Sequence, residues 1–380
     1  MVDEYVNNQQ FVGRATLKLQ NRGLAHCSGS VTLSQPSRFT MLMSHRTKSV
    51  QRAVTLAVAA VALATSQWAT AQTTLLNVSY DVSREFYKDI NAAFVASYKK
   101  STGKDIKIDQ SHAGSSAQAR AVNDGLDADV VTMNTTTDVD FLAGTGVVAK
   151  DWAKKFPNNA APTSSTMLFL VRNGNPKGIK DWDDLIKPGI QVVLVNPKTG
   201  GNGRMAYLAA WGAVRKKGGT DAQAAEYVGK LYKNVPVLAK GGRDATTIFL
   251  QRNIGDVLIT FESEVVSVDK EFGAGKVDAI HPSSSIVAEN PVAVVERTVA
   301  KKGTAEQAKA YLNFLYTDEA QEIAAQHAIR PRNATILKKY ASTFKPIALF
   351  TAEDYFGSFA EAQKVHFNDG GQFDKLYTVK

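Results

Sequence analysis

The stretch Asn196-Pro197-Lys198-Thr199-Gly200-Gly201-Asn202-Gly203-Arg204 decides how this chain folds. An apolar run typical of a strand, 191–195, precedes it, and a run typical of a helix, 205–214, follows it. A glycine-rich turn between a strand and a helix points free backbone N–H groups at an anion. Two other stretches, 111–116 and 241–246, resemble it in composition. We therefore predict that the three turns converge on one small oxyanion.

The bulk composition is that of a globular protein with room for two domains. The chain has 380 residues, of which 44% are hydrophobic and 21% charged, as is ordinary for a folded protein. Residues 1–71 hold seven Lys or Arg and two Asp or Glu, so they carry +5 of the net charge of +9. The later lysines are spread along helix-like stretches, which predicts a solvated surface and no nucleic-acid groove.

Residues 43–71 have the three-part pattern of a secretory signal peptide. A basic segment, 44–52, precedes an apolar run, 53–64, and Ala69-Thr70-Ala71 is an A-x-A site. The apolar run is too short to span a membrane, so we predict export with cleavage near Ala71. Residues 1–42 are predicted to be a non-native or disordered extension.

Strand-like and helix-like runs alternate from Gln72 onward. The strands predicted at 75–79, 106–110 and 128–132 are separated by helix-like runs and short turns. This alternation is typical of an α/β fold with parallel sheets. We also predict a second sheet inserted between the two halves of the first.

The residues give no support for an enzyme, a metal site or a cofactor. Cys27 is the only cysteine, which excludes thiolate chemistry from the rest of the chain. The later histidines show no HExxH spacing, and there is no G-x-S-x-G elbow. Lys198-Thr199 precedes its glycines, the reverse of the order in a nucleotide-binding P-loop. We therefore predict no catalytic residue.

The chain closely resembles the periplasmic sulfate/thiosulfate-binding proteins of ABC importers over residues 75–380. The stretches that carry the resemblance are Leu75-Leu76-Asn77 with Ser79-Tyr80-Asp81, 110–115, 169–172 with 174–177, Asp181-Trp182, Asn196-Pro197-Lys198, 207–212, 255–259, His366-Phe367 and Gly370-Gly371. The resemblance implies a monomer that delivers its anion to an inner-membrane ABC permease.

The fold that the resemblance implies is the two-lobed, type II Venus-flytrap fold, in which each lobe is a mainly parallel sheet flanked by helices. Lobe I is expected to comprise 72–165 and 290–380, and lobe II to comprise 166–289. The anion is expected in the cleft between the lobes, held by uncharged donors at helix N-termini.

The resemblance also implies which residues hold the anion. The implied backbone N–H donors are those of Ser115, Gly200, Gly201, Asn202 and Gly242. Around these donors, Asp81 is expected to cap its helix and His112 to make structural hydrogen bonds. Arg204 and Arg243 are expected either to raise the potential at the anion by direct contact or to pair with carboxylates such as Asp81 or Asp244.

Two positions depart from the sulfate branch of this family. Gly200 stands where that branch has a serine hydroxyl, and Phe261 stands where it has a tryptophan indole N–H. Thiosulfate carries one large, soft sulfur that accepts hydrogen bonds poorly, so the loss of two donors favours thiosulfate, or both ligands, over sulfate alone. The alternatives are a receptor for another tetrahedral oxyanion such as molybdate or phosphate, an enzyme of sulfur compounds, and a ligand-sensing partner of a chemoreceptor.

Overall fold

A computed structural model describes residues 72–377. The predicted extension and signal peptide lie outside the described residues. The strands are β1 (Thr73–Tyr80), β2 (Ile106–Ala113), β3 (Val130–Thr132), β4 (Thr163–Ser165), β5 (Met167–Arg172), β6 (Val192–Val195), β7 (Leu238–Ala239), β8 (Val257–Phe261), β9 (Val277–Ile280), β10 (Ser284–Ile286), β11 (Ala288–Asn290), β12 (Val292–Val294), β13 (Arg330–Pro331) and β14 (Ala348–Phe350).

The helices are α1 (Arg84–Thr102), α2 (Ser115–Asn123), α3 (Thr136–Gly144), α4 (Pro157–Ala160), α5 (Gly201–Lys216), α6 (Asp221–Lys233), α7 (Gly242–Leu250), α8 (Ser263–Phe272), α9 (Glu296–Lys302), α10 (Ala305–Phe314), α11 (Asp318–Gln326), α12 (Ala334–Lys339), α13 (Ala352–Phe356), α14 (Phe359–Ala362) and α15 (Gln372–Leu376). Shorter turns of 3₁₀ helix lie at Asp81–Ser83, Trp152–Lys154 and Trp182–Ile186, and a π-helical turn lies at Gln363–Phe367.

The first large sheet has the strand order β12-β3-β1-β2. β1 is parallel to both β2 and β3, and β12 runs antiparallel to β3. Val130 and Val131 in β3 are fully buried because helices cover both faces of a parallel sheet. A smaller antiparallel sheet has the order β11-β4-β13.

The second large sheet has the order β7-β6-β8-β5-β9, and all of its strands lie in sequence between β3 and β12. The predicted insertion of one sheet between the halves of the other is therefore confirmed. The pairings of β6 are parallel, whereas β5 runs antiparallel to β8 and β9. This sheet is thus mixed, because β5 alone runs opposite to the other four strands.

The helices that follow the glycine-rich turns begin inside those turns. The sequence predicts helix starts at about 117, 205 and 246, but α2, α5 and α7 begin at Ser115, Gly201 and Gly242. Glycine is a poor helix former, so its position at a first helical turn is not visible to propensity alone. The consequence is that the glycines themselves carry the unpaired N–H groups of the helix ends.

The segment after Ala348 packs with the second sheet, although the expected boundaries place 290–380 in lobe I. Phe356, Phe367 and Phe373 belong to the same buried cluster as Tyr207 and Trp211 of α5. Aromatic side chains bury a large apolar area, so they fix the tail where α5 presents matching rings. The expected lobe boundaries otherwise stay a prediction.

Residues 72–377 contain no helix that is both long enough and apolar enough to cross a membrane.

Candidate anion-binding site

The three glycine-rich turns lie in direct contact. A methyl group built on Gly114 would lie 3.0 Å from the carbonyl oxygen of Thr199 and 3.3 Å from that of Lys240. A methyl group built on Gly241 would lie 3.7 Å from the backbone nitrogen of Gly114. Any side chain at Gly114 would therefore press on both neighbouring turns. The N-termini of α2, α5 and α7 thus meet at one place, as the predicted convergence requires.

The first N–H groups of a helix have no acceptor within the helix. At the three helix ends these groups belong to Ser115, Gly201, Asn202 and Gly242, all of which are buried. The positive ends of three helix dipoles add to the attraction for an anion. The arrangement can therefore bind an anion without a charged side chain.

The backbone N–H of Gly200 is expected to donate to the anion, but the structure gives it another partner. Its N–H donates to the carbonyl oxygen of Asn196, 3.1 Å away, and this bond closes the turn before α5. Because the turn needs this bond, the N–H of Gly200 is not available to an anion. The predicted donors that remain in this turn are Gly201 and Asn202, which lie beyond the closing bond.

Asp81 caps α7 in addition to the short 3₁₀ turn that begins at Asp81 itself. Its Oδ2 accepts a hydrogen bond from the backbone N–H of Arg243 at 3.0 Å, and its Oδ1 accepts one from Val82 at 3.0 Å. Burial raises the pKa of the Asp81 carboxyl group above its usual value, while these backbone donors oppose the rise. Asp81 therefore joins the end of β1 to the start of α7.

Arg204 pairs with Asp138, and not with Asp81 or Asp244. Its guanidinium lies 2.7 Å from Asp138 Oδ1 and 3.0 Å from Thr135 Oγ1. The other oxygen of Asp138 accepts a hydrogen bond of 2.5 Å from the Ser115 hydroxyl. The Ser115 hydroxyl is therefore already engaged, and the expected role of its backbone N–H as a donor to the anion stays a prediction.

Arg243 contacts Glu271 and lies 3.8 Å from Glu264. Its charge is therefore matched by carboxylates on α8. Asp244, its other expected partner, instead accepts a hydrogen bond from the backbone N–H of Lys240. Lys198, in the central turn, also pairs with a carboxylate, that of Asp374 at 2.9 Å.

The remaining two predicted residues lie at the ends of strands. His112, in β2, contacts the Tyr80 carbonyl through Nδ1 at 3.0 Å and the Gln110 side chain through Nε2 at 2.9 Å, which matches a structural role. Phe261 ends β8, is 2% exposed, and its ring centroid lies 6.4 Å from that of Tyr80. It is an apolar part of the wall beside the turns.

Asn134, Asp138 and Glu264 surround the turns but are absent from the prediction. Each comes shortly after a strand that the sequence does show, β3 for the first two and β8 for the third. The carboxyl ends of strands in α/β sheets commonly carry ligand-binding residues, and this position was the available signal. Among the described residues, no group of three His, Cys, Asp or Glu side chains could hold a metal ion.

The family of the chain follows from comparison with known proteins. A family model described as "Bacterial extracellular solute-binding protein" matches residues 76–330. The chain belongs to this family. This solute-binding protein is 53% identical to a thiosulfate-binding protein of Pseudomonas aeruginosa over 330 residues, which cover 87% of the chain and 99% of the relative.

A sulfate-binding protein of Escherichia coli is 50% identical to this solute-binding protein, with coverage of 80% of the chain and 92% of the relative. Among solved structures, the sulfate-binding protein SubI from Mycobacterium tuberculosis H37Rv superposes with a TM-score of 0.72 at 32% identity. The match covers 78% of this chain and 100% of SubI. The predicted two-lobed α/β fold is confirmed by this likeness.

Proposed function

We propose that this protein captures thiosulfate and sulfate in the periplasm and delivers them to an ABC permease. The observation that carries the proposal is the meeting of three helix N-termini at buried residues, where nearby cations are already paired with carboxylates. The names of relatives at 50% and 53% identity support the same ligand class. The export signal that ends near Ala71 would place the protein on the correct side of the membrane.

In this proposal the anion is held by the backbone N–H groups of Ser115, Gly201, Asn202 and Gly242. Each hydrogen bond from a neutral donor to a charged acceptor contributes roughly 1.5–3 kcal/mol. Four such bonds contribute about 6–12 kcal/mol, so a micromolar complex, about −8 kcal/mol, requires bonds near the strong end of this range and association costs of about 4 kcal/mol. A site of donors also disfavours monohydrogen phosphate, since its proton would need an acceptor.

The three turns are in contact in this structure, and we infer that closure of the two lobes around the anion holds them there and forms the surface that the permease recognises. The donors come from segments on both sides of the expected lobe boundary, because Ser115 lies in the first and the others in the second. The bound anion would therefore act as the link between lobes. The protein is proposed to act as a monomer and to carry out no chemistry.

Thermal unfolding with and without anions tests the function. A ligand that binds only the folded protein at a concentration 100 times its Kd adds about 2.7 kcal/mol of stability. We expect millimolar thiosulfate and sulfate to raise the Tm, with calorimetry giving each Kd, and chloride to have no effect. Molybdate and phosphate are the comparison anions. If neither sulfur anion raises the Tm, the proposed function is wrong.

We propose in addition that thiosulfate is preferred over sulfate because Gly200 and Phe261 both lack a side-chain donor. Phe261→Trp and Gly200→Ser are expected to raise the affinity for sulfate relative to thiosulfate by about tenfold together, or roughly 1.4 kcal/mol. A methyl group on Gly200 would lie 2.9 Å from Val195 Cγ1, so the serine is best tested together with Val195→Ala.

The single variant Val195→Ala is the matched control, since it changes packing without adding a donor. An affinity ratio that is the same in the wild type, the control and the donor variants would contradict this account of selectivity. The capture of both anions would still stand.

A further inference from the structure

Asn134 is a buried polar residue beside the glycine-rich turn, and neither the family patterns nor the predicted donors include it. It lies two residues after the end of β3 and is 2% exposed. A methyl group built on Gly201 would lie 2.0 Å from Asn134 Oδ1 and 3.0 Å from its Cγ. The amide thus rests on the first residue of α5, where a backbone N–H of the site is located.

The amide oxygen of Asn134 has no hydrogen-bond partner within the described part of the chain. A buried polar atom without a partner is unfavourable, so such atoms are commonly completed by a ligand. The backbone around Asn134 is fixed, since its N–H faces the Ser115 hydroxyl at 3.5 Å. The side chain is therefore held at the meeting point of α2 and α5.

The amide group has two ends of similar shape and opposite hydrogen-bonding character. Rotation by half a turn exchanges its oxygen for its NH₂ group within the same space. A fully ionised oxyanion at the end of α5 would repel the oxygen and accept a hydrogen bond from the NH₂ group. Asn134 can therefore provide the side-chain donor that is missing at Gly200.

We propose that Asn134 contacts the bound anion and helps to determine which oxyanion is selected. This inference rests on the proposed function and names a further residue of the same site. Its amide lies against Gly201, so it would add one side-chain donor to a site otherwise made of backbone N–H groups.

Calorimetric titration of thiosulfate and sulfate into the wild type and into Asn134→Ala, Asn134→Ser and Asn134→Asp tests the inference. We expect Asn134→Ala to raise the Kd for each anion at least tenfold and to change the ratio of the two affinities. Asn134→Ser keeps a donor and is expected to recover part of the loss. Asn134→Asp places a carboxylate against the anion and is expected to weaken binding at least 100-fold.

Asn91→Ala is the matched control, because Asn91 is a buried asparagine of α1 whose side chain accepts a hydrogen bond from the Tyr311 hydroxyl. We expect it to lower the Tm of the free protein without changing either Kd. If Asn134→Ala also leaves both Kd values and their ratio unchanged, Asn134 has only a structural role and the inference is wrong. A wild type that binds neither anion would instead overturn the proposed function.

Discussion

Glu264 is a fully buried carboxyl group in the first turn of α8, three residues after the end of β8. Its Oε2 accepts a hydrogen bond of 2.5 Å from Thr246, and Oε1 has no partner among the described residues. Desolvation raises the pKa of Glu264 to about 7, and Arg243 opposes the rise. The group is therefore protonated in the folded protein at pH values where an unfolded glutamate is ionised.

This raised pKa makes the stability depend on pH. The contribution of Glu264 is fully present below its unfolded pKa of 4.5 and is lost as the pH rises through about 7. We expect wild-type stability to fall by about 3 kcal/mol relative to Glu264→Gln between pH 4 and pH 8, as a shift of 2.5 pKa units requires. Urea unfolding at several pH values measures this difference.

Glu306→Gln serves as the control for the pH experiment because the Glu306 side chain is 84% exposed. Its profile is expected to follow that of the wild type. Parallel profiles for the wild type and Glu264→Gln would show that the carboxyl group is ionised in the folded protein, contrary to this prediction.

Three elements of the site are joined through the carboxylate of Asp138. Asp138 belongs to α3, and it accepts hydrogen bonds from Ser115 of α2 and Arg204 of α5. The side chains of Arg204 and Asp138 are only 10% and 5% exposed. Removal of one partner from a buried ion pair leaves the other charge buried without compensation, which costs about 3–5 kcal/mol.

Arg204→Gln is therefore expected to lose about 3–5 kcal/mol in the free energy of unfolding, measured by urea denaturation. The double variant Arg204→Gln with Asp138→Asn should recover part of this loss, because no buried charge remains. Lys230→Met removes an exposed pair with Glu226 on α6 and should change stability by less than about 1 kcal/mol. An equally small effect of Arg204→Gln would contradict the structural role assigned to this ion pair.

At the level of elements, hydrophobic patterns predicted where strands and helices occur more accurately than they predicted the residues at which these elements begin and end. The strands predicted at 75–79, 106–110 and 128–132 correspond to β1, β2 and β3, with ends that differ by up to three residues. The helix starts in the glycine-rich turns were missed by two to four residues, because contacts between turns override the low helix propensity of glycine. Asn134 and Asp138 were missed because their importance comes from α5, which is distant in sequence.

For the whole molecule, the order of elements predicted an inserted second sheet but not the place of the C-terminal tail. Sequence order puts residues 350–377 after the helices of the first sheet. Packing puts them elsewhere, because His366 lies against Trp211 with ring centroids 4.6 Å apart, and its Nδ1 is hydrogen-bonded to the Tyr207 hydroxyl at 3.0 Å. Burial lowers the pKa of His366 to about 4, so this histidine is neutral at physiological pH. Such a match between distant surfaces has no local signal in the sequence.

The tail is expected to contribute to the stability of the whole described unit through Phe373. This side chain is 4% exposed and contacts Tyr232 with ring centroids 5.3 Å apart. Phe373→Ala should therefore destabilise the protein by about 3–5 kcal/mol, as is usual for buried aromatic residues, and thermal unfolding measures the loss.

Val365→Ala is the control from the same tail, because Val365 is 42% exposed and should change stability by less than about 0.5 kcal/mol. The adjacent Asp374 holds Lys198 of the central turn, so loosening the tail should also weaken anion binding. A Phe373→Ala variant with wild-type Tm would show that the tail packs against α6 without supporting the fold.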